Sequence, residues 1–372
     1  MKITDVKVHH MRGVERNWTF VKVMTDAGIY GWGEGTLEHQ ELAVEQAILS
    51  LAKRHLMGED PTRIEHHWQV MYRQGFWRGG PVLGSAVAAL DQALWDITGK
   101  AYGVPVYRLL GGAVRDRVHL YTHANSAEEI AHAINDLGFN AFKCTGWFTR
   151  QDVDEREVVR ESVDRITGFR ELVGPDIDIM YDNSGLSTPQ QAIQMIRALE
   201  PCGLRFFEEP CQPDNLENLR RVREHAGVAT PLATGERLYT RWDYRYLLEN
   251  QLADIIQPDV CHCFGISELC RIAAAAETYS IRLAPHNPNG PVSTAASVQV
   301  CAATPNFAIL ESIQSEPWHD RVQTEKLEFA SGYMELPTRP GLGVDLDEEV
   351  IASRPYKPLQ AVRHYYRDGS PL

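Results

Sequence analysis

The sequence predicts an α/β protein, a modified (β/α) barrel of the TIM type with an N-terminal α+β capping domain. Three observations predict it. Short apolar runs alternate with helical patterns at roughly 25–35-residue spacing through most of the chain. The first stretch has a different order, strands and then helices. No Gly-x-Gly-x-x-Gly follows the first strand of the alternating region, as a doubly wound dinucleotide-binding sheet would carry. The 372 residues are 44% hydrophobic and 23% charged, which is ample for a large core without disulfide or metal staples.

Residues 1–115 read as the capping domain. Lys2 to His9 and Thr19 to Met24 alternate polar and apolar residues. Asp26-Ala27-Gly28 makes a turn before Ile29-Tyr30-Gly31-Trp32. Leu42 to His55 has apolar residues at helical spacing, and Gly84 to Tyr102 is a longer helix rich in Ala and Leu. Residues 116–323 read as the barrel. Strands are predicted at Val118–His123, Ala141–Thr145, Ile177–Asp182, Arg205–Glu208, Leu232–Glu236, Asp254–Gln257, Arg282–Pro285 and Phe307–Glu311. Pro189–Leu199, Leu216–His225 and Ile266–Tyr279 are among the helices between them. Residues 324–372, polar and carrying Pro and Gly, are expected to pack back on the cap.

The formal net charge of −13 argues against nucleic acid or an anionic membrane as partner. It leaves room for a small anionic substrate, because a divalent cation reverses the local potential. The N-terminal MKITDVKVHHMRG has neither a basic-plus-apolar leader nor a cleavage site, and no apolar window is long enough to span a bilayer. A cytoplasmic protein is expected. The seven cysteines are odd in number and irregularly spaced, as free thiols are. Cys261-His262-Cys263 lacks a second ligand pair at zinc-finger spacing.

In a barrel, side chains at the carboxyl ends of strands face the mouth. Three successive predicted strands end in Asp182, Glu208 and Glu236, one βα unit apart. Three carboxylates side by side repel one another unless a cation joins them, and an all-oxygen set suits Mg²⁺. Asp259 lies just beyond the sixth strand and His286 ends the seventh. A carboxylate beside an imidazole fixes its tautomer and raises its basicity, so the pair reads as a general base and its support. Glu311 ends the eighth strand and either hydrogen-bonds substrate or caps a helix. Lys143 ends the second. It is read as holding a substrate carboxylate, as a second base with a lowered pKa, or as half of a surface salt bridge. His123, at the end of the first strand, is within reach of the mouth. The polar and aromatic segments Arg12–Trp18 and Phe76-Trp77-Arg78 suit a polyol chain, with domain packing the alternative for Trp77.

These residues resemble the enolase superfamily, in its mandelate-racemase-like branch, and the resemblance spans nearly the whole chain. Ala89-Leu90-Asp91-Gln92-Ala93-Leu94-Trp95-Asp96-Ile97 and Leu109-Leu110-Gly111-Gly112 look like the branch's cap motifs. Phe207-Glu208-Glu209-Pro210 and Thr234-Gly235-Glu236 are similar to its metal motifs, and Gln257-Pro258-Asp259 with Pro285-His286 to its Asp–His dyad. The likeness is greatest to galactonate dehydratase-like acid-sugar dehydratases, in Met71-Tyr72-Arg73, Arg78-Gly79-Gly80-Pro81, Gly290-Pro291 and Pro340-Gly341-Leu342-Gly343-Val344. The resemblance implies a Mg²⁺-dependent hydro-lyase in carbohydrate-acid metabolism. It would turn an aldonate into a 2-keto-3-deoxy acid by α-proton abstraction and β-elimination of water. It also implies a homo-oligomer.

Two positions depart from the pattern. Ser184 stands where those dehydratases carry the histidine that protonates the leaving hydroxyl, which leaves Ser184 as a substrate contact. The second strand reads Lys143-Cys144-Thr145 in place of the racemases' Lys-x-Lys, which disfavours a two-base racemisation. His286 is therefore expected to take the α-proton and return it to the hydroxyl in a syn elimination. The alternatives are an acid-sugar epimerase or cycloisomerase, or a sugar-acid-binding protein that has lost its general acid.

Overall fold

The computed structural model describes residues 1–146, 154–227, 229–313, 316–360, 365 and 368–370. The chain opens on an antiparallel meander of β1 (Ile3–Arg12), β2 (Asn17–Thr25) and β3 (Tyr30–Glu34). The predicted turn falls between β2 and β3, where Gly28 takes a φ of 74°. Then come α1 (Glu41–His55), α2 (Ile64–Arg73), α3 (Gly80–Tyr102) and the single turn α4 (Val106–Leu109). Helix α3 begins four residues before the predicted start. Gly79 and Gly80, both at positive φ, turn the chain into it, and Pro81 supplies a helix-ready φ in its first turn.

Helix α3 is buried nearly all round because it lies between the cap sheet and the barrel. Gly31, Gly33 and Gly35 let it rest directly on β3. A Cβ on Gly33 would come within 1.9 Å of the Ala89 carbonyl oxygen, and one on Gly31 within 2.2 Å of that of Ala93.

Eight parallel strands follow: β4 (Arg117–His123), β5 (Ala141–Thr145), β6 (Asp178–Asp182), β7 (Phe206–Glu208), β8 (Leu232–Thr234), β9 (Ile255–Ile256), β10 (Arg282–Leu283) and β11 (Leu310–Glu311). They pair in chain order. The ring closes where β11 pairs with β4 and Leu283 bridges to Phe307. Between them run α5 (Ala127–Ala131), continued by a π-helical turn His132–Asp136, then α6 (Glu155–Val173), α7 (Pro189–Leu199), α8 (Leu216–His225), α9 (Arg241–Glu249), α10 (Ile266–Glu277) and α11 (Pro291–Ala303). Helices α7 and α9 start on capping boxes at Thr188 and Thr240. Tyr121, Met180, Phe206, Ala233, Ile255, Ala284 and Ile309 pack as one cluster inside the ring. Three predicted strands end early, β9 by the single residue Gln257. At β8, Gly235 turns away with a φ of 132°, and at β10 the run meets Pro285, which cannot donate to a ladder. Glu236 and His286 therefore sit on the first residues of rim loops.

The remaining elements are α12 (Pro317–Arg321), β12 (Gln323–Glu325), β13 (Phe329–Ala330), β14 (Tyr333–Glu335), β15 (Asp345–Leu346) and α13 (Glu348–Ser353). Strand β14 adds antiparallel to β4. Trp32 Nε1 donates to Asp345 at 2.6 Å, Asn17 Nδ2 to the Lys357 carbonyl at 2.9 Å, and Arg354 Nε to the Arg12 carbonyl at 2.6 Å. No described helix is long and apolar enough to cross a membrane.

Two buried acids fasten cap to barrel. Glu34 of β3 accepts from the Gly290 and Ser293 amides at the start of α11, at 2.7 and 2.9 Å. Asp91 of α3 accepts from the Ser267 amide and hydroxyl of α10, at 3.0 and 2.6 Å. Burial pushes Asp91 up to about 7 against the pull of the Ser267 hydrogen bonds.

Two predictions follow from this packing. Gly33→Ala forces the α3 backbone off β3 and costs about 2 kcal/mol or more, read from the urea unfolding midpoint. Asp91 has a folded pKa above its unfolded one, so folding favours the protonated acid. Its contribution is full below about pH 4 and is lost as pH rises to about 7. At about 1.4 kcal/mol per unit this amounts to a loss on the order of 2–4 kcal/mol. Asp91→Asn, a neutral isostere, should unfold with a flatter pH dependence over that window, and an unchanged profile would refute the assignment.

Candidate active site

The carboxyl ends of the strands surround a cavity of about 820 Å³. Register places Asp182 of β6 beside Glu208 of β7, and Glu208 beside Ala233 of β8, two residues before Gly235-Glu236. The three acids thus lie on three adjacent strand ends, and each is held by a different protein partner. The Ser184 amide donates to Asp182 Oδ1 at 2.6 Å. Lys143 Nζ donates to Glu208 Oε1 at 2.7 Å. His286 Nε2 lies 3.5 Å from Glu236 Oε2. Among the described residues no three acid, imidazole or thiolate groups are drawn together as a ready-made metal cage.

The charge balance nevertheless fits a cation. Burial drives Glu208 well above the ordinary carboxylate range, Lys143 opposes it, and Asp182, Glu311 and Glu236 add to the rise. Burial also pushes Glu236 up to about 7 against the pull of His286. Glu208 Oε2 is buried and accepts no hydrogen bond. Three adjacent carboxylates, two of them strongly disfavoured as anions, with one oxygen unpartnered, match an oxygen-ligated divalent ion.

Lys143 is 1% exposed, and its ammonium also lies 2.8 Å from Glu311 Oε1. Burial alone would lower its pKa, but Glu208 and Glu311 outweigh that and raise it well above the usual value. This corrects the expected second base with a lowered pKa. Two buried carboxylates grip the proton, so the ion pair is a buried one and not the surface salt bridge of the third reading, and Lys143 still lines the cavity. Glu311 is the hub of this corner. Its Oε1 meets both Lys143 and His123 Nε2, and its Oε2 accepts the Asn287 amide at 2.8 Å.

Across the cavity Asp259 and His286 meet. His286 Nδ1 lies 2.7 Å from Asp259 Oδ2, which also accepts Asn289 Nδ2 at 2.8 Å. The Cys261 amide holds the other Asp259 oxygen at 2.7 Å. Burial favours the neutral acid at Asp259, yet His262 and His286 keep it below the usual range. Burial lowers His286, while Glu236 and Asp259 raise it to about 10.

Ser184 lines the cavity at a φ of 51°, so the histidine-substituted position does face the reaction space. His123 lines it too. Trp77 and Arg78 do not. Trp77 is 84% exposed against Phe76, and Arg78 lies over the Tyr72 ring, beside a separate groove with Arg73 and Trp242. Both side chains sit on the segment between α2 and α3, which stays largely exposed and turns into α3 at Gly79 and Gly80. The other flagged segment, Arg12–Trp18, does deliver Glu15 and Arg16 to the cavity.

Sequence reasoning missed Arg237 and His262, which also line it. Arg237 clamps Glu209 and reaches Gln212 at 2.8 Å, and the run Thr234-Gly235-Glu236-Arg237 held the signal. His262 Nδ1 meets Ser85 Oγ of α3 at 2.9 Å, and its Nε2 lies 3.7 Å from Asp259. The flanking cysteines had drawn attention to zinc instead.

With the geometry in hand, the similarities become informative. Residues 6–111 match the family model for the mandelate racemase/muconate lactonizing enzyme N-terminal domain, and residues 125–350 match the enolase C-terminal domain-like model. The chain belongs to the enolase superfamily, in the mandelate racemase/muconate lactonizing enzyme family. A D-galactonate dehydratase family member of Streptomyces bingchenggensis is 40% identical over 95% of this chain and 94% of its own. The D-galactonate dehydratase of Ralstonia pickettii is 39% identical over the same shares. Among solved structures, an enolase from Agrobacterium radiobacter with bound Na and L-malate superposes with a TM-score of 0.92, at 36% identity over 100% of this chain and 99% of its own. An enolase from Pantoea ananatis with bound D-gluconate and Mg gives 0.91, at 29% identity over the same shares. The superfamily scaffold of cap and barrel is therefore the one described above.

Removing the ammonium tests the charge arrangement. Lys143→Met leaves Glu208 and Glu311 buried without their cation and should cost about 3 kcal/mol or more in denaturant unfolding. A variant as stable as the wild type would mean that the two carboxyls do not depend on it.

Proposed function

We propose that this protein is a hydro-lyase that removes water from a sugar acid, converting an aldonate to a 2-keto-3-deoxy acid with Mg²⁺ as cofactor. The observation that carries the reading is the Asp259–His286 dyad beside three adjacent acid-bearing strand ends, with Asp182, Glu236 and His286 lining one cavity. Relatives named D-galactonate dehydratase, 38–40% identical over most of the chain, support the lyase class. The Mg and D-gluconate bound to the Pantoea ananatis enolase support the cofactor and the substrate class.

Asp182, Glu208 and Glu236 would hold Mg²⁺. The ion supplies positive charge that makes the proton beside a substrate carboxylate removable. His286 takes that proton on Nε2, while Asp259 fixes Nδ1 and balances the imidazolium that forms. In the present geometry Glu236 pairs with Nε2. Were Glu236 engaged on a cation, it would no longer pull on that nitrogen, which would be free to accept. Lys143 sets Glu208 and Glu311 and lines the same cavity. Glu15 and Arg16 from the cap and Arg237 from the barrel line the space for the hydroxylated chain, and Ser184 offers it a hydrogen bond.

His286→Asn should lower kcat by about 10²–10⁴-fold, while calorimetry finds Mg²⁺ affinity unchanged. Continued exchange of the α-proton in deuterated water would remove His286 from the role of base. Glu208→Gln should weaken Mg²⁺ binding in the same titration. Equal affinity would place the ion elsewhere.

A further inference from the structure

Elimination of water needs an acid as well as a base, since hydroxide is a poor leaving group. Ser184 cannot serve, because its hydroxyl is neutral and lies by Asp182. The Lys143 ammonium lines the cavity but is already engaged by both Glu208 and Glu311. Burial lowers the pKa of His262, which keeps that ring neutral.

His123 is placed differently. It ends β4 opposite Lys143 in register, beside the strand that closes the barrel. Its Nε2 is fixed on Glu311 Oε1. Nδ1 bonds no described residue, and the side chain remains 28% exposed. His123 also stands where the main cavity adjoins a second one of about 310 Å³, also lined by Glu15, Arg16 and Asn289. A substrate held in the main cavity shares that space with this ring. Glu311 stays anionic. Burial works against that, and Lys143 and His123 hold its pKa well below the usual range. A carboxylate held on one nitrogen orients the ring and leaves the other nitrogen for a second partner.

We propose that His123 is the general acid, which gives its Nδ1 proton to the departing β-hydroxyl. The inference rests on the dehydration reading above and completes it. His286 takes the α-proton, and the C–H pair becomes the new C=C bond. The Cβ–O bond breaks, and the oxygen leaves as water with the proton from His123. The resulting enol becomes the 2-keto-3-deoxy acid by moving its hydroxyl proton to Cβ through solvent. His286 then loses a proton and His123 regains one through the cavity opening. The elimination therefore uses two residues in place of the single-histidine return of the proton.

His123→Gln tests this, because an amide can still donate to Glu311 but cannot supply a proton. Wild type and variant are assayed with Mg²⁺ on D-galactonate, D-gluconate and a panel of other aldonates and aldarates. Three readouts are compared: water loss, α-proton exchange in deuterated water, and fluoride release from the 3-deoxy-3-fluoro analogue of the substrate turned over. Fluoride leaves without a proton. The expected result is a fall in water loss of about 10²–10⁴-fold, with exchange and fluoride release within about tenfold of wild type. Water loss at the wild-type rate overturns the proposal in favour of His286 acting alone. Loss of all three activities together overturns it in favour of a purely structural His123. A wild type that neither exchanges nor dehydrates any acid of the panel sinks the dehydratase reading itself and the acid assignment with it.

Discussion

The ammonium of Lys143, buried between Glu208 and Glu311, is the interaction on which the mouth of the barrel depends. Parallel strands bring their carboxyl-end residues into a small ring, and this chain fills that ring with acids. Two like charges 4 Å apart repel by about 4 kcal/mol at the effective dielectric of a protein. Five acids, Asp182, Glu208, Glu236, Asp259 and Glu311, are tolerated because each meets a cation, an imidazole or a backbone amide. The excess negative charge left over is the feature that suits a divalent ion.

The cap contributes rigidity first and chemistry second. The glycine stripe of β3 sets the distance to α3, and Glu34 and Asp91 fasten both to the barrel through backbone amides. With the cap so fixed, the loop carrying Glu15 and Arg16 lies over the mouth at a defined height. His262, bonded to Ser85 of α3 and next to Asp259, links the cap to the dyad.

Much of this was legible in the sequence, for identifiable reasons. Strand-to-helix alternation and acids at successive strand ends are local patterns, so the eight strands and the positions of Asp182, Glu208, Glu236, Asp259 and His286 could be read directly. Early strand ends at Gly235 and Pro285 were missed because a strand's last hydrogen bond depends on its neighbour. The state of Lys143 was missed because its partners come from β7 and β11, far along the chain. Trp77 and Arg78 were misplaced because an aromatic-basic segment between glycines looks the same whether it folds over a site or away from it. Arg237 and His262 escaped because their neighbours carried louder motifs.

The reach of Glu311 has a consequence for how the molecule comes to exist. Its carboxylate touches His123, 188 residues earlier, at the seam where the last barrel strand meets the first. Closing the ring and assembling the corner that holds Lys143 and His123 are one event. A chain still missing its eighth strand lacks Glu311 itself, so Lys143 and His123 are without the carboxylate that joins them. The last barrel strand to be made thus brings the one carboxylate that ties this corner of the mouth to the start of the barrel.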